Sequence, residues 1–349
     1  MAVERRKTDE EKIESEKEMK IGKISEMVMK HSILKQSGAH RDEVAAGPGI
    51  GQDFALIQGK EWVSGASAVQ VCYRREDAAF AVARALNNLF CSGSTAAGIF
   101  CMAVLPPDMD HKEWNEMMEA VHKICQSRGI AVLGGHTETT GAVSVPIMTI
   151  TGIGYVQQAQ AVWEGKLKSG HDLVMTKWIG LEGTALLAVH KEKELLERYP
   201  YALIKEAQEF TKYLTVEDEA RAAIHFGAAA LHDVSQGGVL TALWEMAERS
   251  GTGLEVDLKQ IAVRQETVEI SEYAGANPYS MPSSGALLIG TENGYGLVRE
   301  LEKLQIKASV IGKVTDKKER IIRNGEDIRF LDRPKPENFE QFLKKEVEL

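Results

Sequence analysis

The chain has 349 residues, 44% of them hydrophobic and 27% charged, with a formal net charge of −9 and a pI near 5.6. That apolar content can fill the cores of two domains, and an acidic surface without a basic stripe excludes nucleic acid as a partner. No stretch approaches 18 uninterrupted apolar residues, and the charged run from Glu4 to Lys20 lacks the apolar segment of a signal peptide, so no membrane contact and a cytoplasmic location are expected.

In chain order, residues 1–18 read as a solvated charged extension and residues 19–156 as a first domain. Within it, Trp62 to Val71 and Ser144 to Tyr155 are β-rich. Arg75 to Phe90 is an alanine-rich helix, apolar on most sides and expected to be buried. His111 to Arg128 is amphipathic, with Trp114, Met117, Met118, Val121 and Ile124 inward. Cys72, Cys91, Cys101 and Cys125 have no CxxC spacing and read as buried free thiols. Residues 157–170 form a linker. The second domain, 171–330, opens with strand Asp172–Thr176 and continues through helical patterns at 184–196, 202–213 and 216–226. A strand at Ala228–Leu231, a turn, a helix from Val239 and a helix–strand pair near 294–313 follow. In the tail, 331–349, Pro334 and Pro336 set off a short amphipathic helix.

The most informative segment is His232-Asp233-Val234-Ser235-Gln236-Gly237-Gly238, a strand end, a tight turn and a helix start. Unbonded N–H groups and the helix dipole favour an anion there, and glycines let a phosphate approach the backbone. The duller alternative is Ser235 or Asp233 as an ordinary N-cap. Two further segments follow the same scheme: Gly47-Pro-Gly49-Ile-Gly51-Gln-Asp53, and the apolar run 130–133 followed by Gly134-Gly135-His136-Thr137-Glu138. Three glycine-polar turns beside apolar runs point to one polyphosphate site assembled from separate segments. Neither a Walker-type loop nor a dinucleotide fingerprint occurs.

With these motifs in order, and with ALNNLFCSG at 85–93 and NPYSMPSSGALL at 277–288, the sequence resembles the aminoimidazole ribonucleotide (AIR) synthase superfamily over about residues 19–330. Its opening at Met19 and the 277–288 segment look most like the hydrogenase maturation branch, HypE, and its AIR-synthase-related relatives. The resemblance implies an N-terminal α/β domain and a C-terminal α+β domain, with N-domain strands closing a β-barrel across a homodimer. It also implies ATP and Mg²⁺ bound between the domains, and phosphoryl activation of an amide or carbonyl oxygen on a small molecule or a protein carboxamide.

On that resemblance the nucleotide-binding candidates are Gly49, Gly51, Asn87, Asn88, Gly134, Gly135, Thr137, Lys177, Ser235, Gly237 and Gly238. Asp53 and Asp233 are the metal candidates, with Glu138 and His136 in reserve; no catalytic residue is assigned. Each has a plainer reading. Asp53 can serve its own turn, Asn87 and Asn88 can end a helix, Lys177 can be a surface lysine, and His136 a loop histidine. Acids that relatives present at four positions read Gln52, Ser67, Asn88 and His136 here, so the Mg²⁺ site is expected to be weak. The HypE reaction also uses a terminal Cys, whereas this sequence ends in Lys344-Lys345-Glu346-Val347-Glu348-Leu349. The leading expectation is therefore an ATP-binding protein that activates an oxygen by phosphoryl transfer. Alternatives are a catalytically degraded dimeric scaffold of the same fold, and a thiamine-monophosphate kinase or selenophosphate synthetase relative.

Overall fold

The computed structural model describes residues 26, 30, 34, 42–46, 49–52, 54–162, 167–335 and 338–343. The 1–18 extension, Asp53 and the last six residues lie outside them.

The N-terminal sheet has strands β1 (Val44–Ala46), β2 (Ala55–Ile57), β3 (Trp62–Val71), β4 (Thr95–Leu105), β5 (Ala131–Thr139) and β6 (Ile147–Val156), in the order β1-β2-β3-β6-β4-β5. All pairs are antiparallel except β4–β5, whose parallel pairing requires a crossover. Helix α2 (His111–Ser127) makes that crossover, starting where Asp110 Oδ1 accepts the Lys112 N–H at 2.6 Å. It buries Met117, Val121 and Cys125. Helix α1 (Ala78–Cys91) lies on the same face of the sheet, buried as its alanine-rich pattern predicts. Its Ala81, Ala85 and Leu86 share a core with Ile99, Cys101, Met148 and Ile150. Strands β3 and β6 alternate because only this face is covered.

The second sheet holds β7 (Asp172–Thr176), β8 (Ala230–Asp233), β9 (Gly253–Asp257), β10 (Leu287–Thr291), β11 (Ala308–Thr315), β12 (Arg320–Asn324) and β13 (Asp327–Phe330), ordered β13-β12-β9-β11-β7-β10-β8. Among the described residues the α-helices of this half are α3 (Leu181–His190), α4 (Glu192–Leu196), α5 (Tyr201–Gln208), α6 (Glu217–Phe226), α7 (Gly238–Ser250), α8 (Gln265–Ala274) and α9 (Gly294–Lys303). Val174 and Ile289 pack with α6 and α9, while Leu173, Met175 and Leu288 pack with α7. The β7 strand and its first helices fall where the sequence places them; the β12–β13 hairpin does not emerge from sequence periodicity.

Helix α1 joins the halves, reaching across to β8 and α6 as well as the first sheet. Buried polar groups pin the seam. Arg84 pairs with Glu182 of α3, and Asp77 takes both the His190 Nε2 contact at 2.9 Å and the Tyr73 N–H at 2.9 Å. Among the described tail residues the chain forms a 3-10 turn at Phe339–Phe342 rather than the expected amphipathic helix, with Phe339 against Gly183 and Tyr73 donating to Glu340 at 2.9 Å. Among the described residues no helix is long and apolar enough to cross a membrane.

Candidate functional site

Strand β8 delivers His232 and Asp233 to the seam, both buried. The chain then reverses through Gly237 and Gly238, whose φ of 81° and 64° are left-handed. A Cβ on Gly238 would meet Tyr279 O at 2.4 Å, so this glycine admits the 277–281 segment rather than leaving room for a ligand at that spot. Gly237 is the N-cap of α7 and no side chain caps the helix, which corrects the reading of Ser235 or Asp233 as its cap. The Ser235 carbonyl instead accepts from Gly238 N at 3.1 Å and Ser283 N at 3.4 Å.

Asn88, on the last turns of α1, meets Asp233 across the seam. Its carboxamide nitrogen donates to both carboxylate oxygens, at 3.1 Å to Oδ2. His232 lies on the other side, Nε2 at 3.3 Å from Glu245 Oε2 and Nδ1 at 4.0 Å from Asp233 Oδ1. The first glycine turn packs on the later turns of α7. Gln52 N–H closes on Gly49 O at 3.2 Å, Gly51 (φ 66°) would clash with Glu245 O at 2.7 Å if it bore a Cβ, and Arg249 Nη1 donates to Gly51 O at 3.1 Å. The fold thus brings Asn88, Asp233, Ser235 and Gly237 to the start of α7, and Gly49 and Gly51 to its later turns against Glu245 and Arg249. Glu245 and Arg249, absent from the sequence reading, belong to this group; their i, i+4 spacing on α7 is the signal that puts them on one face.

Three expectations are corrected. Asn87 does not face the site: its Nδ2 donates to Leu214 O at 2.7 Å and its Oδ1 accepts from Val216 N at 3.1 Å, fully buried. Lys177 is neither a surface residue nor open to a phosphate. Its Nζ donates to the carbonyls of Tyr213, Thr215 and Gly285 at 3.1, 2.5 and 3.0 Å and pairs with Glu219. Burial pushes its ammonium below the usual lysine range, against the opposing pull of Glu219.

The third correction concerns residues 134–138. They form no turn but the middle of β5, an edge strand where a Cβ on Gly135 would lie 1.6 Å from Cys101 O beside a register shift in β4. His136 and Glu138 pair at 3.2 Å, both exposed. His136 stands opposite Met102, an outward residue, whereas α1 and Asp233 lie beyond the inward face. Within one chain, His136 and Glu138 therefore do not join the seam group, while Thr137 stands opposite the buried Ala103 on the other face of this edge strand. The reason is the strand's period of two, which carries 134, 136 and 138 together to one face.

Among the described residues no three His, Cys, Asp or Glu side chains gather to hold a metal. Among the described residues the seam offers Mg²⁺ the Asp233 carboxylate and, if Asn88 rotates, its carboxamide oxygen, while the Glu245 carboxylate faces His232. Hard oxygen donors of this kind suit one ion completed by phosphate and water, not a multi-ion cluster.

The AIR synthase related protein N-terminal domain matches residues 51–156 and the C-terminal domain of the same family matches residues 168–324. The chain belongs to the AIR synthase-related family. A putative hydrogenase expression/formation protein of Methanocaldococcus jannaschii is 21% identical over 247 residues, covering 69% of this chain and 71% of that one. In fold, the chain is similar to HypE in the HypE–HypF complex, with a TM-score of 0.73 at 17% identity over 88% of this chain and 99% of that chain. Hydrogenase maturation protein HypE in complex with ATP is similar at a TM-score of 0.68 and 15% identity, over 88% of this chain and 91% of that chain.

Proposed function

We propose that the protein binds ATP at the domain seam and uses it to activate an amide or carbonyl oxygen of a small molecule or a protein carboxamide. One observation carries the reading: Asn88 of the first domain and Asp233 of the second meet beside the glycine turn that starts α7. The helix dipole favours a phosphate beside the start of α7, and Mg²⁺ fits Asp233 with the Asn88 oxygen. The ATP complex of a protein of this fold supports the same assignment. Asp53 belongs to the proposal from its sequence position alone.

The assembly proposed is a two-fold dimer, with residues 19–156 and 171–330 as its two domains. Among the described residues the outward face of the N-terminal sheet is apolar and exposed, with Ile57, Val69, Phe100, Met102 and Tyr155 on it. A second copy laid on this face covers it and closes the strands into a barrel, with an interface of roughly 2,000 Å² or more.

Calorimetry with ATP, with and without Mg²⁺, tests the function. Metal-dependent binding that Asp233→Asn weakens at least about tenfold supports the seam site. No nucleotide binding overturns it in favour of a dimeric scaffold, a second reading favoured by the internal use of Asn87 and Lys177. Binding without turnover overturns only the activating reaction.

A further inference from the structure

Glu26 and Lys30, the first described residues of the chain, rest on the second domain through a ring of alternating charge. The Lys30 ammonium pairs with Glu26, four residues earlier, and reaches Glu248 Oε1 of α7 at 2.9 Å. Glu248 Oε2 accepts from Arg320 Nη2, at the start of β12, at 2.6 Å. On the other side Glu26 Oε2 lies 3.1 Å from Arg333 Nε, in the stretch after β13. Trp244, one turn before Glu248 on α7, closes the ring: the Arg320 guanidinium is 4.5 Å from its ring centroid and that of Arg333 6.0 Å.

Two features separate this ring from an ordinary solvated face. Each of its charges meets the opposite sign, or the indole face, on both sides, and such a network contributes more than isolated surface pairs do. Glu26 is also only 8% exposed, and a carboxylate so deep depends on its cations. Lys30 and Arg333, by contrast, are half-exposed, so dissolved salt reaches them.

The ring lies beside the Gly49–Gly51 turn. Glu245, one turn before Glu248, packs its carbonyl against Gly51, and Arg249 donates to Gly51 O. The chain from Lys30 to Gly51 is therefore tied to the same helix at both ends.

We propose that the ring is an ionic latch: it docks the chain ahead of the glycine turn onto α7 and releases it as ionic strength rises, while both domains stay folded. The Debye length falls from about 10 Å at 0.1 M salt to about 3 Å at 1 M, which weakens the half-exposed rungs and not the apolar cores. Release also loosens the Gly49–Gly51 turn. Its effect on ATP rests on the seam reading of nucleotide binding; the latch itself does not.

Hydrogen exchange of the full chain without nucleotide, at about 0.1 M and about 1 M KCl, tests the latch. Protection in peptides covering residues 26–51 is expected to fall about tenfold with salt, while peptides of β7 and β10 keep theirs. Glu248→Gln removes the charge on which Lys30 and Arg320 meet, so the fall should be present at low salt and change little at high salt. Arg333→Gln, which loses one rung, should lie between parent and Glu248→Gln. Circular dichroism should show both variants folded. Salt-insensitive exchange in the parent, or parent-like protection in Glu248→Gln at low salt, overturns the latch. Calorimetry with ATP reads the coupling separately, with affinity expected to be about threefold weaker in Glu248→Gln. Parent-like ATP affinity beside faster exchange overturns the coupling alone. A parent that binds no ATP overturns the seam reading, and the exchange data then decide the latch by themselves.

Discussion

The two sheets of this molecule are built from similarly apolar strands yet are covered differently. In the second sheet every residue of β7 and β10 is buried, because α6 and α9 pack on one face and α7 on the other. In the first sheet β3 and β6 alternate: Met148 and Ile150 lie under α1, while Ile147, Thr149 and Thr151 are left half-buried outside. A strand that is apolar on both sides but covered on one by its own chain points to cover from elsewhere. On the dimer proposed above, the difference separates residues that hold the fold from residues that a second copy covers.

Breaking the doubly covered sheet should have the largest effect. Leu288→Asp places a carboxylate between β10 and α7 at a site with no exposure, and should cost more than about 4 kcal/mol, read as loss of the cooperative thermal transition. Met148→Lys belongs to the same class, because Met148 is also fully buried within its own chain. The seam comes next. Arg84→Leu leaves Glu182 buried without its cation and should cost about 3–5 kcal/mol by denaturant unfolding, with Arg84→Lys milder.

On the singly covered sheet the outcome should differ in kind. Ile147→Lys should leave each chain folded, its melting point shifted by only a few degrees, while light scattering reports the mass of one chain. A parent that is itself monomeric at micromolar concentration would remove the reason for the bare face to be apolar.

The seam contact between the two halves can be sharpened with Asn88→Asp. It sets two carboxylates against each other, so stability measured in chelator should fall by about 1–2 kcal/mol, and Mg²⁺ should restore it. If Mg²⁺ restores nothing, Asn88 and Asp233 do not share an ion. The smallest effect expected is on the thiols. Cys72, Cys91, Cys101 and Cys125 are all free and buried, and burial pushes up Cys72, Cys101 and Cys125, so an aromatic disulfide reagent at pH 8 should label none natively and four in denaturant.

Much of this architecture is written in local pattern. Strands β3 and β7, the buried α1, the inward side of α2, and the turn from Asp233 to Gly238 follow from periodicity and glycine placement, because each depends on neighbours a few residues away. The family likeness is legible for the same reason, since its motifs are short and in order. What the sequence could not decide was which glycine-polar segments meet. Gly-Gly at 134–135 looks like Gly-Gly at 237–238, but one sits in an edge strand and the other starts a helix, and only pairing with β4 settles which. Asn87 and Asn88 are adjacent in sequence, yet the helix turns one into the seam's structural bonds and the other onto Asp233. Lys177 reads as a phosphate ligand until Tyr213, Thr215, Gly285 and Glu219, from distant parts of the chain, close around it. Local pattern fixes which face a residue takes on its own element; only long-range packing fixes what that face meets.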